Sequence, residues 1–158
     1  MGLILDTSTP VTAERRGHSI AEILESLQNA LGETEVGLSV ITIAELAHGI
    51  QRAKPGAQRQ RREAFVQDLR AALTVYPLTD EIAERAGTIS GQQAGRGIVL
   101  PLADLLIGTT ALHLGFDVRD GKYTALPNDP EPGGAIALKK EAERSPPSAA
   151  SGLKPTGE

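Results

Sequence analysis

The chain has no cysteine and no tryptophan, and its aromatic share is only 3%. Without thiols there are no disulfides, no Cys-based zinc sites, no iron–sulfur clusters and no thiol nucleophile. That composition suits a reducing cytosol. The only rings are Phe65, Phe116, Tyr76 and Tyr123, so the core must be aliphatic. So few rings also argue against a single-strand binder that stacks bases along an aromatic platform. Long apolar runs are missing too: the most apolar window, Ile98 to Leu112, is interrupted by Pro101 and Asp104 and falls short of the ~20 residues that span a bilayer. The N-terminus enters Leu3-Ile4-Leu5 with no basic lead-in, so no secretion signal is expected. Asp6 stands where a myristoylation signal needs Ser or Thr. The expectation is a soluble cytoplasmic protein with no membrane association.

What remains is ordinary in bulk. A length of 158 residues suits one compact domain, and 40% hydrophobic with 23% charged residues excludes wholesale disorder. The net charge of −4 means that the molecule as a whole does not attract polyanions. Charge is uneven, however: residues 51–62 carry five positive side chains and no negative one. This stretch reads either as a solvated loop and helix start or as a phosphate-contacting patch.

Hydrophobic spacing divides the chain into alternating strands and helices. Leu3-Ile4-Leu5 reads as a buried strand ended by Asp6-Thr7-Ser8. Ser19 precedes Ile20, Ile23, Leu24, Leu27 and Leu31, an amphipathic helix closed by Gly32. Val36 to Ile41 is rich in β-branched residues and reads as a second strand, with Thr42 opening the next helix through Leu46 and Ile50. A long helix is expected from about Arg59, a short extended piece over Val75–Leu78, and a helix capped by Asp80 that runs to about Ala94. Leu102 to Leu114 is an apolar helix entered through Pro101 and ended by Gly115, and Phe116–Val118 is one more strand. Thr9-Pro10-Val11-Thr12 weakens any helix directly after the first strand. The pattern predicts an α/β domain with a mainly parallel sheet and helices on both faces. Six of the ten prolines lie in residues 127–158, so the expected division is a domain over 1–127 and a disordered, low-complexity tail over 128–158.

Three carboxylates occupy comparable places, each just beyond an apolar segment and near a helix start: Asp6, Glu45 and Asp104. In open parallel sheets ligands bind outside the carboxyl ends of the strands, so acids at such points can converge although distant in sequence. Two carboxylates ~4 Å apart repel by about 4 kcal/mol at an effective dielectric near 20. A divalent cation relieves this, and hard oxygen donors without a Cys or His cluster favour Mg²⁺ or Mn²⁺ over zinc. Each acid also has a structural explanation. Asp6 fits a turn, Thr42-Ile43-Ala44-Glu45 matches a capping box, and Asp104 suits the first turn of its helix. Spacing alone leaves both readings open.

Gly2-Leu3-Ile4-Leu5-Asp6-Thr7-Ser8, Ser39-Val40-Ile41-Thr42-Ile43-Ala44-Glu45-Leu46 and Leu102-Ala103-Asp104-Leu105-Leu106-Ile107-Gly108-Thr109-Thr110-Ala111, in this order, resemble the PIN-domain ribonucleases, above all the VapC-type toxins of bacterial toxin–antitoxin pairs. Ala13–Gly17 and Arg61–Phe65 add to the likeness, which runs from residue 2 to about 118. The resemblance implies a three-layer α/β/α domain and a metal-dependent endoribonuclease that hydrolyses RNA with a metal-activated water. It also implies inhibition by a cognate antitoxin and assembly as a homodimer. It places Asp6, Glu45 and Asp104 on the metal-binding acids, has Thr7 or Ser8 orient Asp6 or the water, and leaves Arg15 and Arg16 to grip RNA phosphates or antitoxin acids.

The family's fourth polar position follows the next strand. Arg119 falls there in this chain, with Asp120 as first substitute and Asp117 as second. That departure opens an alternative, a decayed PIN domain that binds antitoxin or RNA without efficient cleavage. A phosphatase with Asp6 as nucleophile is a further reading, but such enzymes carry a second acid two residues on, where this chain has Ser8. Glu45-x-x-His48 is half of a di-iron pattern without its second copy, which leaves His48 packed near the site or at an interface. His18 and His113 have no triad partners.

Overall fold

The computed structural model describes residues 2–120; the expected boundary at 127 and the tail over 128–158 lie outside the described residues. In chain order these residues form β1 (Gly2–Leu5), α1 (Ser8–Arg15), α2 (Ile20–Leu31), β2 (Glu35–Ser39), α3 (Val40–Arg52), α4 (Ala57–Ala72), β3 (Thr74–Tyr76), α5 (Asp80–Ala94), α6 (Leu102–Leu114) and β4 (Asp117–Arg119). The strands pair in the order β3-β2-β1-β4, all parallel, as the alternation of strands and helices predicts. None of these helices is long and apolar enough to cross a membrane.

The period of two in β1 feeds two cores. Leu3 and Leu5 face one side with Leu38, where α1, α2, α3 and α4 contribute Ala13, Ile23, Leu46 and Leu69. Ile4 faces the other side and meets Ile107 and Ala111 of α6, with α5 packed against α6. Helices therefore cover both faces, giving three layers. Ile4, Leu5 and Leu38 are fully buried, and each such side chain contributes about 1.5–3 kcal/mol by leaving water. On the Ile4 side, a Cβ at Gly2 or Gly37 would collide with the rings of Phe116 and Tyr76. The missing side chains let those two rings meet edge-on, with centroids 5.7 Å apart.

Several boundaries differ from expectation, each for a local reason. β2 stops at Ser39 because its hydroxyl accepts the Ile41 amide at 3.2 Å and caps α3. Val40 and Ile41 therefore start the helix despite their β-branching, and Thr42 is not the cap. Thr79, not Asp80, caps α5, accepting the Ile82 amide at 3.3 Å. Pro101 stands at the N-cap of α6 instead of inside its first turn. α1 forms despite Pro10, since a proline in the first turn removes an amide that has no helical partner there.

The basic run also resolves. Arg59 donates to the Gln51 and Ala53 carbonyls at 2.9 and 3.2 Å. Arg62 donates to the Gly49 carbonyl at 3.0 Å and lies 3.5 Å from Glu14. Two of the five cations thus fasten the α3–α4 corner and do not form an open phosphate patch.

Candidate active site

The strand order fixes where a site belongs. From β1 the chain moves outward through β2 to β3, then returns to place β4 on the other flank of β1. The reversal between β1 and β4 opens a crevice at the carboxyl ends of these strands. Asp6 leaves β1 at that point, and its amide donates to the Arg119 carbonyl at 2.9 Å, extending the β1–β4 ladder. Thr9, read from sequence as weakening the helix, instead ties this corner: its hydroxyl donates to the same carbonyl at 2.9 Å.

The register separates the positions of the two candidates after β4. Arg119 lies beside Leu5, so Asp120 leaves the sheet next to Asp6, whereas Asp117 lies beside Leu3 at the far end of β4 and is exposed. Asp120 is at the crevice; Asp117 is not.

Glu45 arrives from α3 and Asp104 from the first turn of α6. Their meeting is visible in the electrostatics. Loss of solvation lifts the Asp104 carboxyl above its ordinary value, and the negative charges of Asp6 and then Glu45 lift it further. Asp6 and Glu45, which the sequence separates from Asp104, are therefore close enough for their charges to act on it. Among the described residues no three His, Asp or Glu side chains form a closed group ready to hold a metal ion. The acids share a field without sharing a finished coordination shell.

Hydroxyls organise two of the three. Ser8 Oγ donates to Asp6 Oδ2 at 2.7 Å and the Ser8 amide to the same oxygen at 3.3 Å. Thr7 stands at the N-cap of α1 yet gives its helix no side-chain cap; its hydroxyl donates instead to Glu45 Oε2. The Thr42-x-x-Glu45 capping box is therefore not formed. Thr42 is fully buried, and its hydroxyl has no hydrogen-bond partner among the described residues.

Beside Glu45 runs a cleft of about 210 Å³ with Val11, Leu46, Ile50 and Phe65 among its walls and Arg15 at its side. Arg16 does not line it; its amide closes the end of α1. His48 is exposed on α3 and does not pack into the site. His113 lies 3.8 Å from Glu81, a surface pair when protonated.

The sequence that builds this crevice is matched by a family model. The PIN domain model covers residues 3–118, and the chain belongs to the PIN domain family. Solved structures with the same fold include the DNA-bound VapBC complex of Salmonella typhimurium, 22% identical over 75% of this chain and 84% of that one, with a TM-score of 0.62. VapBC-5 of Mycobacterium tuberculosis, a toxin–antitoxin system, is 25% identical over 75% of this chain and 83% of that one, with a TM-score of 0.57. VapC20 of the same organism, a sarcin–ricin loop cleaving toxin, is 14% identical over 78% and 93%, with a TM-score of 0.54. No curated protein sequence matches the chain.

Proposed function

We propose that the chain is the toxin of a toxin–antitoxin pair, a cytoplasmic Mg²⁺- or Mn²⁺-dependent endoribonuclease. The observation that carries this is the crevice at which Asp6 and Asp104 face each other with Glu45 near, where burial first and then the charges of Asp6 and Glu45 lift the Asp104 carboxyl. A carboxylate that is partly desolvated and faces two like charges is stabilised by a cation. The donors are hard oxygens with no soft ligand beside them, which fits these two ions. Asp6, Glu45 and Asp104 would hold the ion, with Asp120 as the fourth acid at the crevice. The ion, when bound, supplies positive charge at the scissile phosphate and a more acidic water.

The chain's own groups do the positioning. Ser8 fixes one oxygen of Asp6 and leaves the other for a ligand. Thr7 holds Glu45 Oε2 and so sets the angle at which the carboxylate faces the crevice. Arg15, at the wall of the cleft, and Arg16 beside it offer cations to an RNA backbone. Named relatives occur as toxin–antitoxin complexes, which supports an antitoxin as partner, and the family's usual assembly supports a homodimer.

A second reading, a PIN domain that binds antitoxin or RNA without cutting, draws on the open arrangement of the acids. Incubation of the full chain with structured RNA and Mn²⁺, then with EDTA, separates the two. The nuclease reading predicts cleavage that EDTA abolishes. RNA left intact under both conditions contradicts it and leaves the binding reading.

A further inference from the structure

The geometry points to a second RNA-phosphate subsite in the cleft between the end of α1 and the start of α4, formed by Arg15 and Arg61 and adjoining the cleft beside Glu45. This rests on the ribonuclease reading and extends it to how the substrate is held. The cleft has a volume of about 530 Å³, within the ~300–1,000 Å³ of ordinary ligand sites. Four residues at helical spacing, Gln58, Arg61, Arg62 and Phe65, form its α4 wall; Arg15 and His18 stand opposite. Glu14, Arg15, Arg62 and Phe65 also line the cleft beside Glu45, so the two cavities adjoin as one trough.

The arginines of this trough are not equivalent. Arg62 is half-buried and committed to Glu14 and to the Gly49 carbonyl, and Arg59 to the Gln51 and Ala53 carbonyls. Arg15 and Arg61 are exposed and make no hydrogen bond or ion pair with any described residue. With Glu14 neutralised by Arg62, the trough presents two uncommitted cations. His18, a donor, and Phe65, an apolar face, stand beside them. This is the chemistry of a polynucleotide backbone contact, which positions a strand without reading its sequence. A chain carrying −4 overall gains a local attraction for RNA here that its net charge denies it.

The test is binding of a fluorescently labelled mixed-sequence single-stranded RNA to the full chain carrying Asp6→Asn, over a series of salt concentrations. Arg61→Ala and Arg15→Ala should each weaken binding roughly 3- to 10-fold and reduce the slope of log K against log salt by about 0.7, the share of one phosphate. Arg61→Lys should restore most of the slope. Arg70→Ala removes the same charge from an exposed position of the same helix outside the cleft and should leave the slope unchanged. Equal losses in Arg61→Ala and Arg70→Ala, or none in Arg61→Ala and Arg15→Ala, overturn the subsite while the ribonuclease reading stands. A polyglutamate peptide that binds more tightly than the RNA and loses more on Arg61→Ala assigns the cleft to an acidic protein segment and likewise overturns it. RNA bound by no form of the chain, with or without Asp6→Asn, overturns both.

Discussion

Two tetrapeptides of this chain are nearly the same, Ser19-Ile20-Ala21-Glu22 and Thr42-Ile43-Ala44-Glu45, and the fold uses them in opposite ways. At α2 the signal means what it says. The Ser19 amide donates to Glu22 Oε2 at 2.7 Å, and the Glu22 amide donates to Ser19 Oγ at 3.3 Å. Glu22 is held below its ordinary carboxylate value, chiefly by that backbone amide and then by the serine hydroxyl. At α3 the cap has moved upstream to Ser39, so Thr42 is buried and Glu45 is free of its own backbone. Glu45 takes its hydrogen bond from Thr7, far off in sequence, and adds to the charge that lifts Asp104. One glutamate is satisfied by its helix; the other is kept for the crevice. Local pattern decides the first, and tertiary position the second.

That contrast can be broken by substitution. The largest effect is expected at Glu45→Gln or Asp6→Asn, which keep shape and remove a ligand charge. RNA cleavage should fall roughly 100-fold or more, beyond the ~10–100-fold lost when a residue that only orients a metal ligand is changed, with the circular dichroism spectrum unchanged. Retained cleavage would sink the metal-site reading. Thr7→Val, which removes only the hydroxyl on Glu45, should cost roughly 10- to 100-fold in the same assay.

Ser19→Ala should do the converse. It should lower stability by about 1 kcal/mol, seen in the urea midpoint, and leave cleavage untouched. The Glu22 cap also has a pH signature. Because folding lowers its value, its stabilisation is complete above 4.5 and is lost as pH falls below that point.

The smallest effect has the opposite sign. Folding raises the Asp104 carboxyl, so its ionised form costs stability as pH rises through and beyond its ordinary 3.8. Asp104→Asn should raise Tm at pH 7 by roughly 1–4 °C, a modest gain because the group is largely exposed. An unchanged or lowered Tm would mean that burial and the charges of Asp6 and Glu45 do not oppose the ionisation of Asp104.

Most elements were legible because a single dominant period marks them: the 3–4 spacing of α2, the apolar run of α6 and the short buried β1. The β2–α3 junction was misjudged because Val40 and Ile41 favour strands, while one hydroxyl–amide bond from Ser39 overrides them. The three acids were legible as positions at strand ends and helix starts, but their meeting depends on the strand order, which periodicity does not encode. That Asp120, and not Asp117, follows the carboxyl end of β4 beside Asp6 is visible only in the β1–β4 register. The fate of the basic run was hidden for a similar reason: Arg59 and Arg62 bind backbone carbonyls, and carbonyls leave no trace in side-chain composition.

The shared-cation claim is tested most directly by calorimetric titration of Mn²⁺ into the full chain and into Asp6→Asn, Glu45→Gln and Asp104→Asn. Saturable binding by the unaltered chain, weakened at least about tenfold in each variant, is the predicted result. Equal affinity in all four proteins would contradict a site built jointly by residues 6, 45 and 104.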